Sequence, residues 1–179
     1  MPKLFAKSVL FILFLNLFFV FTLAQNQKSE GKSTSLVWYK YDEGIKKAQE
    51  QKKHTLVFFY TNWCGYCKKM MKYTFEDAKV KKLLDERFIS IKVDAGSSNK
   101  VMVDSSRISE KELALKYRVT AYPVTWFLKP NGEKIAPMMG YVDSNSFSNV
   151  LEYIGDGAYQ KMTFSEYQNQ KKNKVKDSK

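Results

Sequence analysis

An α/β domain with a central mixed β-sheet flanked by helices on both faces is the fold class this sequence predicts, on three observations. Residues 55–60 and 88–93 are nearly continuous apolar runs, the pattern of strands covered on both faces. Amphipathic helical stretches lie between them, giving the strand–helix–strand order of a right-handed parallel unit. Residues 124–128 and 133–138 flank Lys129-Pro130-Asn131-Gly132 and read as an antiparallel hairpin, so both kinds of pairing share one sheet.

Residues 1–24 have the layout of a secretory leader: Lys3 and Lys7, an apolar stretch over 9–23 broken only by Asn16 and Thr22, then Ala24. That stretch is shorter than the ~20 residues a spanning helix needs. Cleavage after Ala24 is therefore expected over retention as an uncleaved anchor. Residues 25–35 are polar and small and form a linker. Asp42 is expected to cap a helix to about Gln51, with Tyr41, Ile45 and Ala48 on its inner face. After the first buried strand comes a helix carrying Met70 and Met71 inward and Lys68, Lys69 and Lys72 outward. Asp77 opens the next helix, which leads into the second strand.

Residues 94–108 carry Gly, Ser and Asn without periodicity, so a long loop is expected, with a short extended piece at 101–103. Leaving the carboxyl end of a strand, it should border the site. Ser109 and Glu112 spell a capping box for a helix to Tyr117. After the hairpin, Asp143 or Ser144 caps a helix that turns Phe147, Val150, Leu151 and Ile154 inward. Thr163 and Glu166 start a helical extension within residues 156–170. The last nine residues, with Lys171, Lys172, Lys174, Lys176 and Lys179, are expected to be a solvated basic tail.

Composition bounds the function. With 179 residues, 44 % hydrophobic and 15 % aromatic, the chain can bury one core, here assigned to residues 36–155. A monomer is expected. The formal charge is +12, but the basic tail has no interleaved aromatics, so nucleic acid is not an expected partner. Membrane contact is expected only through an uncleaved leader or that tail.

Chemistry concentrates in Trp63-Cys64-Gly65-Tyr66-Cys67, placed directly after a buried strand. A strand that delivers a Cys-x-x-Cys pair onto the first turn of a helix sets one thiol among unpaired N–H groups that favour a thiolate. Zinc would need four ligands, and His54 is the only histidine, so no metal is expected. Haem attachment would need His where Lys68 stands. A purely structural disulfide closing so short a loop gains only roughly 2 kcal/mol. Thiol–disulfide exchange is the chemistry that remains, and an exported protein with only these two cysteines faces a periplasmic or extracellular compartment where disulfides persist.

The element order, the motif and Tyr122-Pro123-Val124 before another strand together resemble the thioredoxin superfamily. Within it, Trp63-Cys64-Gly65-Tyr66-Cys67-Lys68 and Lys72-Tyr73-Thr74-Phe75 look most like the C-terminal domain of the DsbD-type thiol:disulfide interchange proteins and related exported thioredoxin-like proteins. The resemblance implies a thioredoxin fold, no organic cofactor, and partners that are protein thiol or disulfide substrates plus a redox partner protein. It implies a redox-active Cys64–Cys67 disulfide, with Cys64 the exposed nucleophile and Cys67 the resolving thiol. Trp63 shields the pair, Gly65 and Tyr66 tune its redox poise, and Pro123 after Tyr122 is a cis proline facing it. Reduction of protein disulfides is the leading activity. A periplasmic isomerase or oxidase, and a non-catalytic peptide-binding module, are the alternatives. One departure matters chemically: the acids that the family places six residues before and seven after the first cysteine are Phe58 and Met71 here. The proton of Cys67 is then expected to go to water or to Asp94 or Asp104.

Overall fold

Strand β1 (His54–Tyr60) is the axis of the molecule. It pairs in parallel with β2 (Phe88–Asp94) and antiparallel with β5 (Val124–Leu128), which in turn pairs with β6 (Lys134–Met139), giving the order β2-β1-β5-β6. This computed structural model describes residues 35–177, so the predicted leader and nearly all of the linker lie outside the described residues. No helix among those residues is long and apolar enough to cross a membrane.

The mixed sheet follows from the side chains of β1, which alternate between two cores. Leu56 and Phe58 enter one cluster with Cys64, Cys67, Met70, Phe75, Phe127, Phe147 and Leu151; Val57 and Phe59 enter the other with Ile91, Val93, Val101, Leu113 and Tyr117. Successive residues of a strand point to opposite faces, so a strand covered on both sides has no polar half.

Helices supply the covers. On the second core lies α1 (Tyr41–Gln51), where Gly44 comes so close to Ile91 that an added Cβ would sit 2.3 Å from Cγ1. Lys40, in extended backbone, is its N-cap; Asp42 falls inside the first turn and does not cap, because its carboxylate reaches only the Glu43 N–H. The cysteine helix α2 (Gly65–Lys69) runs on into a π turn, Met70–Thr74, which buries Met70 and leaves Met71 half-buried. Asp77 caps α3 (Ala78–Arg87) through the N–H groups of Lys79 and Val80.

Residues 94–108 depart from the predicted loop. They form a second small sheet, β3 (Lys100–Val103) with β4 (Ser106–Ser109), turned at Asp104, whose φ is 54°. Val101 and Ala95 are buried in the second core. The short extended piece expected at 101–103 is β3; its partner β4 is not legible, because Ile108 is the one apolar residue of Ser106–Ser109.

The Ser109–Glu112 capping box starts α4 (Glu110–Lys116), as read. Asp143 caps α5 (Ser144–Gly155), which buries Phe147, Leu151 and Ile154 in the first core. The Thr163–Glu166 pair caps α6 (Phe164–Asp177), and this helix continues through the lysine-rich segment taken for a solvated tail. Lys171 docks on Glu152 and Asn149 of α5.

Candidate active site

Backbone geometry sets Cys64 at the site. It is the N-cap of α2, in extended backbone (φ −75°, ψ 108°), and its sulfur accepts the Cys67 N–H at 3.0 Å. An N-cap side chain faces the unpaired N–H groups of the first turn, the position in which partial positive charge meets an anionic sulfur. Cys67 lies one turn in and joins Cys64 in a disulfide, with Cα atoms 5.2 Å apart. Cys64 is 6 % exposed and Cys67 1 %, so neither sulfur is widely open in this oxidised form.

Side chains around the pair come from three segments. Trp63 and Tyr66 bracket Cys64 on the chain and project into solvent, 74 % and 65 % exposed. The Trp63 ring meets Tyr122 edge to face at 5.8 Å, which brings the Tyr122–Pro123 turn beside the start of α2. That peptide bond is cis, and the Pro123 carbonyl accepts the Gly140 N–H at 2.8 Å, tying the turn to the end of β6. Tyr141, just beyond, faces Tyr66 at 6.4 Å and carries Lys69 Nζ over its ring at 4.5 Å. Trp63, Cys64, Gly65, Tyr66, Cys67, Tyr122 and Pro123 thus lie on or beside one turn of chain. Met139 and Tyr141 are not legible as site residues in the sequence, since residues at and just past the end of β6 carry no local signature of belonging to a cysteine motif.

A cleft of about 440 Å³ opens beside Cys67, lined by Tyr60, Thr61, Asn62, Lys68, Met71, Lys72 and Glu76. Phe58, in the position of the missing acid, lies in the core rather than in the cleft wall: its ring is fully buried, 4.9 Å from Phe75 and 6.1 Å from Trp38. Neither carboxylate proposed in its stead reaches the cleft. Asp94 accepts from Asn62 Nδ2 at 2.8 Å and from the Gly96 N–H at 3.0 Å, and Asp104 sits at the hairpin turn. Glu76, hydrogen-bonded by Lys81 at 2.6 Å, is the carboxylate that lines it. Burial, with the charges of Asp94 and Glu110, pushes the Tyr60 phenol up, so it stays neutral. The Thr61 hydroxyl is buried with no hydrogen-bond partner.

A family description of the thioredoxin-like domain matches residues 41–155, from the first helix through α5. The chain belongs to the thioredoxin-like family. The thioredoxin-fold protein of Helicobacter pylori, a solved structure, superposes with a TM-score of 0.60 at 28 % identity, covering 69 % of this chain and 86 % of that one. Among curated relatives, the disulfide bond reductase DsbH of Chlamydia pneumoniae is 25 % identical over 107 residues, 59 % of this chain and 64 % of its own length. The thiol:disulfide interchange protein DsbD of Photorhabdus laumondii is 26 % identical over 108 residues, 59 % of this chain and 17 % of its own length. In both cases the chain spans less than two thirds of the relative. The thioredoxin-like assignment and the paired Cys64 and Cys67 make this a thiol–disulfide oxidoreductase-like domain.

Proposed function

We propose that the chain is an exported oxidoreductase that reduces protein disulfides through the Cys64–Cys67 dithiol. The observation that carries this reading is the helix-start geometry, in which the sulfur of Cys64 takes an N–H bond from the turn it caps while Cys67 lies under neighbouring side chains. That asymmetry divides the labour between two thiols. As a thiolate, Cys64 attacks one sulfur of a partner's disulfide; that S–S bond breaks, and the departing thiolate takes a proton from water. Cys67, its proton passed to water in the adjoining cleft, then attacks the Cys64 sulfur and expels the second partner thiolate. Two electrons have moved to the partner and the pair is left oxidised. A reduced dithiol protein, the redox partner, restores it by the reverse exchange. Trp63, Tyr66, Tyr122 and Pro123 form the rim against which the partner chain lies, and Gly65 leaves the helix start open. The leader-like residues 1–24 support export, with a mature N-terminus at Gln25.

The test is a pair of substitutions read against insulin reduction by the dithiol form. Cys64→Ser is expected to abolish turnover, and Cys67→Ser to accumulate mixed disulfides with the substrate, because attack can occur but resolution cannot. Normal turnover of Cys67→Ser without adducts would overturn the assigned roles. The reduction potential of the pair decides direction: a value well above that of cellular reductants would favour oxidase action instead.

A further inference from the structure

Trp63, Tyr66 and Met139 each stand more than half exposed, and contacts through Tyr122, Pro123 and Tyr141 gather them into one rim around Cys64. The links run from Trp63 to Tyr122, through the Pro123–Gly140 hydrogen bond to Met139 and Tyr141, and from Tyr141 back to Tyr66. Met139 pairs with Val124, the residue after Pro123, so it stands at the same end of the sheet. Contiguous exposed apolar surface of this kind marks a contact site.

The unpaired charge beside that rim has one sign. Lys68, Lys69 and Lys72 project from the cysteine helix and its π turn, Lys69 over Tyr141 and Lys72 over Tyr73, and none of the three is paired with a carboxylate among the described residues. The carboxylates nearby are occupied. Glu76 is held by Lys81, Asp143 is turned into the N-cap of α5, and Asp94 is held by Asn62 and the Gly96 N–H.

Resting on the exchange reading above, we infer that this aromatic rim and its lysines select protein partners whose disulfide is flanked by acidic residues in an extended segment. Aromatic faces give contact area that tolerates many sequences. The three ammonium groups supply the discrimination, raising the encounter rate with acidic segments and lowering it with basic ones. A second copy of the chain is the wrong occupant, since the formal charge of +12, less Lys3 and Lys7 of the leader, leaves +10 on each mature copy.

The experiment uses the reduced protein and three disulfide-bonded peptides of one sequence, differing only in flanking Glu, Gln or Lys, with hydroxyethyl disulfide as a small neutral substrate. At low ionic strength the Glu peptide should be reduced about tenfold faster than the Lys peptide, and the ratio should fall toward one when salt shortens the screening length to roughly 3 Å. The Lys68→Gln, Lys69→Gln, Lys72→Gln triple variant should lose the ratio. A charge-matched Lys46→Gln, Lys82→Gln, Lys111→Gln variant, altered on other exposed helical positions, should keep it. Using the ratio cancels any uniform change in the reactivity of Cys64. Turnover of hydroxyethyl disulfide with equal rates on all three peptides, or equal loss of the ratio in both variants, overturns this inference alone. No turnover of hydroxyethyl disulfide overturns the exchange reading and this inference with it.

Discussion

Phe58 decides how the cysteine pair is supported. In the family resemblance its position holds a buried acid, yet here the ring is closed on all sides by Trp38, Phe75 and Tyr60, with stacking on Tyr60 at 6.0 Å. A carboxylate placed there would be desolvated among aromatic rings and would leave the volume of the Phe58 ring unfilled, so restoring the acid costs both packing and desolvation. Phe58→Asp is expected to lower unfolding free energy by about 4 kcal/mol or more, a large part of the ~5–15 kcal/mol a domain has. Phe58→Leu should cost roughly 1–2 kcal/mol and retain exchange activity. Urea unfolding of the two variants beside the parent measures both, and an Asp variant as stable as the Leu one would mean the site is wetter than its packing indicates.

At the scale of elements, the β3–β4 hairpin takes part in the fold where the sequence indicated a long loop with a short extended piece, and α6 runs on past residue 170 where it indicated a solvated tail. The hairpin puts Val101 into the core under β1 and β2, on the sheet face opposite Cys64 and Cys67. Val101→Ala should therefore destabilise the domain by roughly 1–3 kcal/mol while leaving the rate on a small disulfide unchanged. A change in rate without a change in the denaturation midpoint would place the hairpin at the site after all. Helix α6 is held through Glu152, which meets Lys79 of α3 at 2.9 Å and Lys171 of α6. Burial alone would raise the Glu152 carboxyl, but the bonds and charges of Lys171 and Lys79 outweigh it and hold the group below its ordinary 4.5. A depressed carboxylate stabilises the fold above its unfolded value and stops doing so as pH falls through its folded value. Docking of α6 should accordingly weaken below about pH 4.5, and Glu152→Gln should mimic that loss at neutral pH, at a cost of about 1 kcal/mol given the exposed lysines. Limited proteolysis at Lys171 and Lys172 is the measurement; protection retained in Glu152→Gln would show that apolar contacts hold the helix instead.

For the whole molecule, one strand feeding both cores makes the described domain a single cooperative unit. Leu56 and Phe58 cannot leave one cluster without withdrawing Val57 and Phe59 from the other, because all four belong to the same β1 backbone. Trp38 packs on the first cluster and Trp126 on the second. In a Trp63→Phe background, their fluorescence and the far-ultraviolet circular dichroism should therefore share one unfolding midpoint. Separate midpoints would mean that the two faces of the sheet unfold independently.

Some of this protein is written in local sequence. The buried strands, the two capping boxes, the Asp143 cap and the cysteine motif at a helix start follow from hydrophobic runs and capping chemistry that act over a few residues. Other features are decided only where distant segments meet. The Val101 strand exists because a partner strand and a core receive it, and α6 extends to Asp177 where Lys171 finds Glu152. Asp42 loses the cap to Lys40 because Tyr39 joins β2 through its bridge to Ile91 and sets where the helix begins. The rim that gathers Trp63, Tyr66, Tyr122, Met139 and Tyr141 is likewise a product of topology: β5 runs antiparallel beside β1 and β6 antiparallel beside β5, so the start of β5 and the end of β6, more than fifty positions away, both come to the mouth of the cysteine pair. Short-range propensities are readable in a single chain; juxtapositions fixed by burial of a shared core are not, because no local residue pattern encodes its partner.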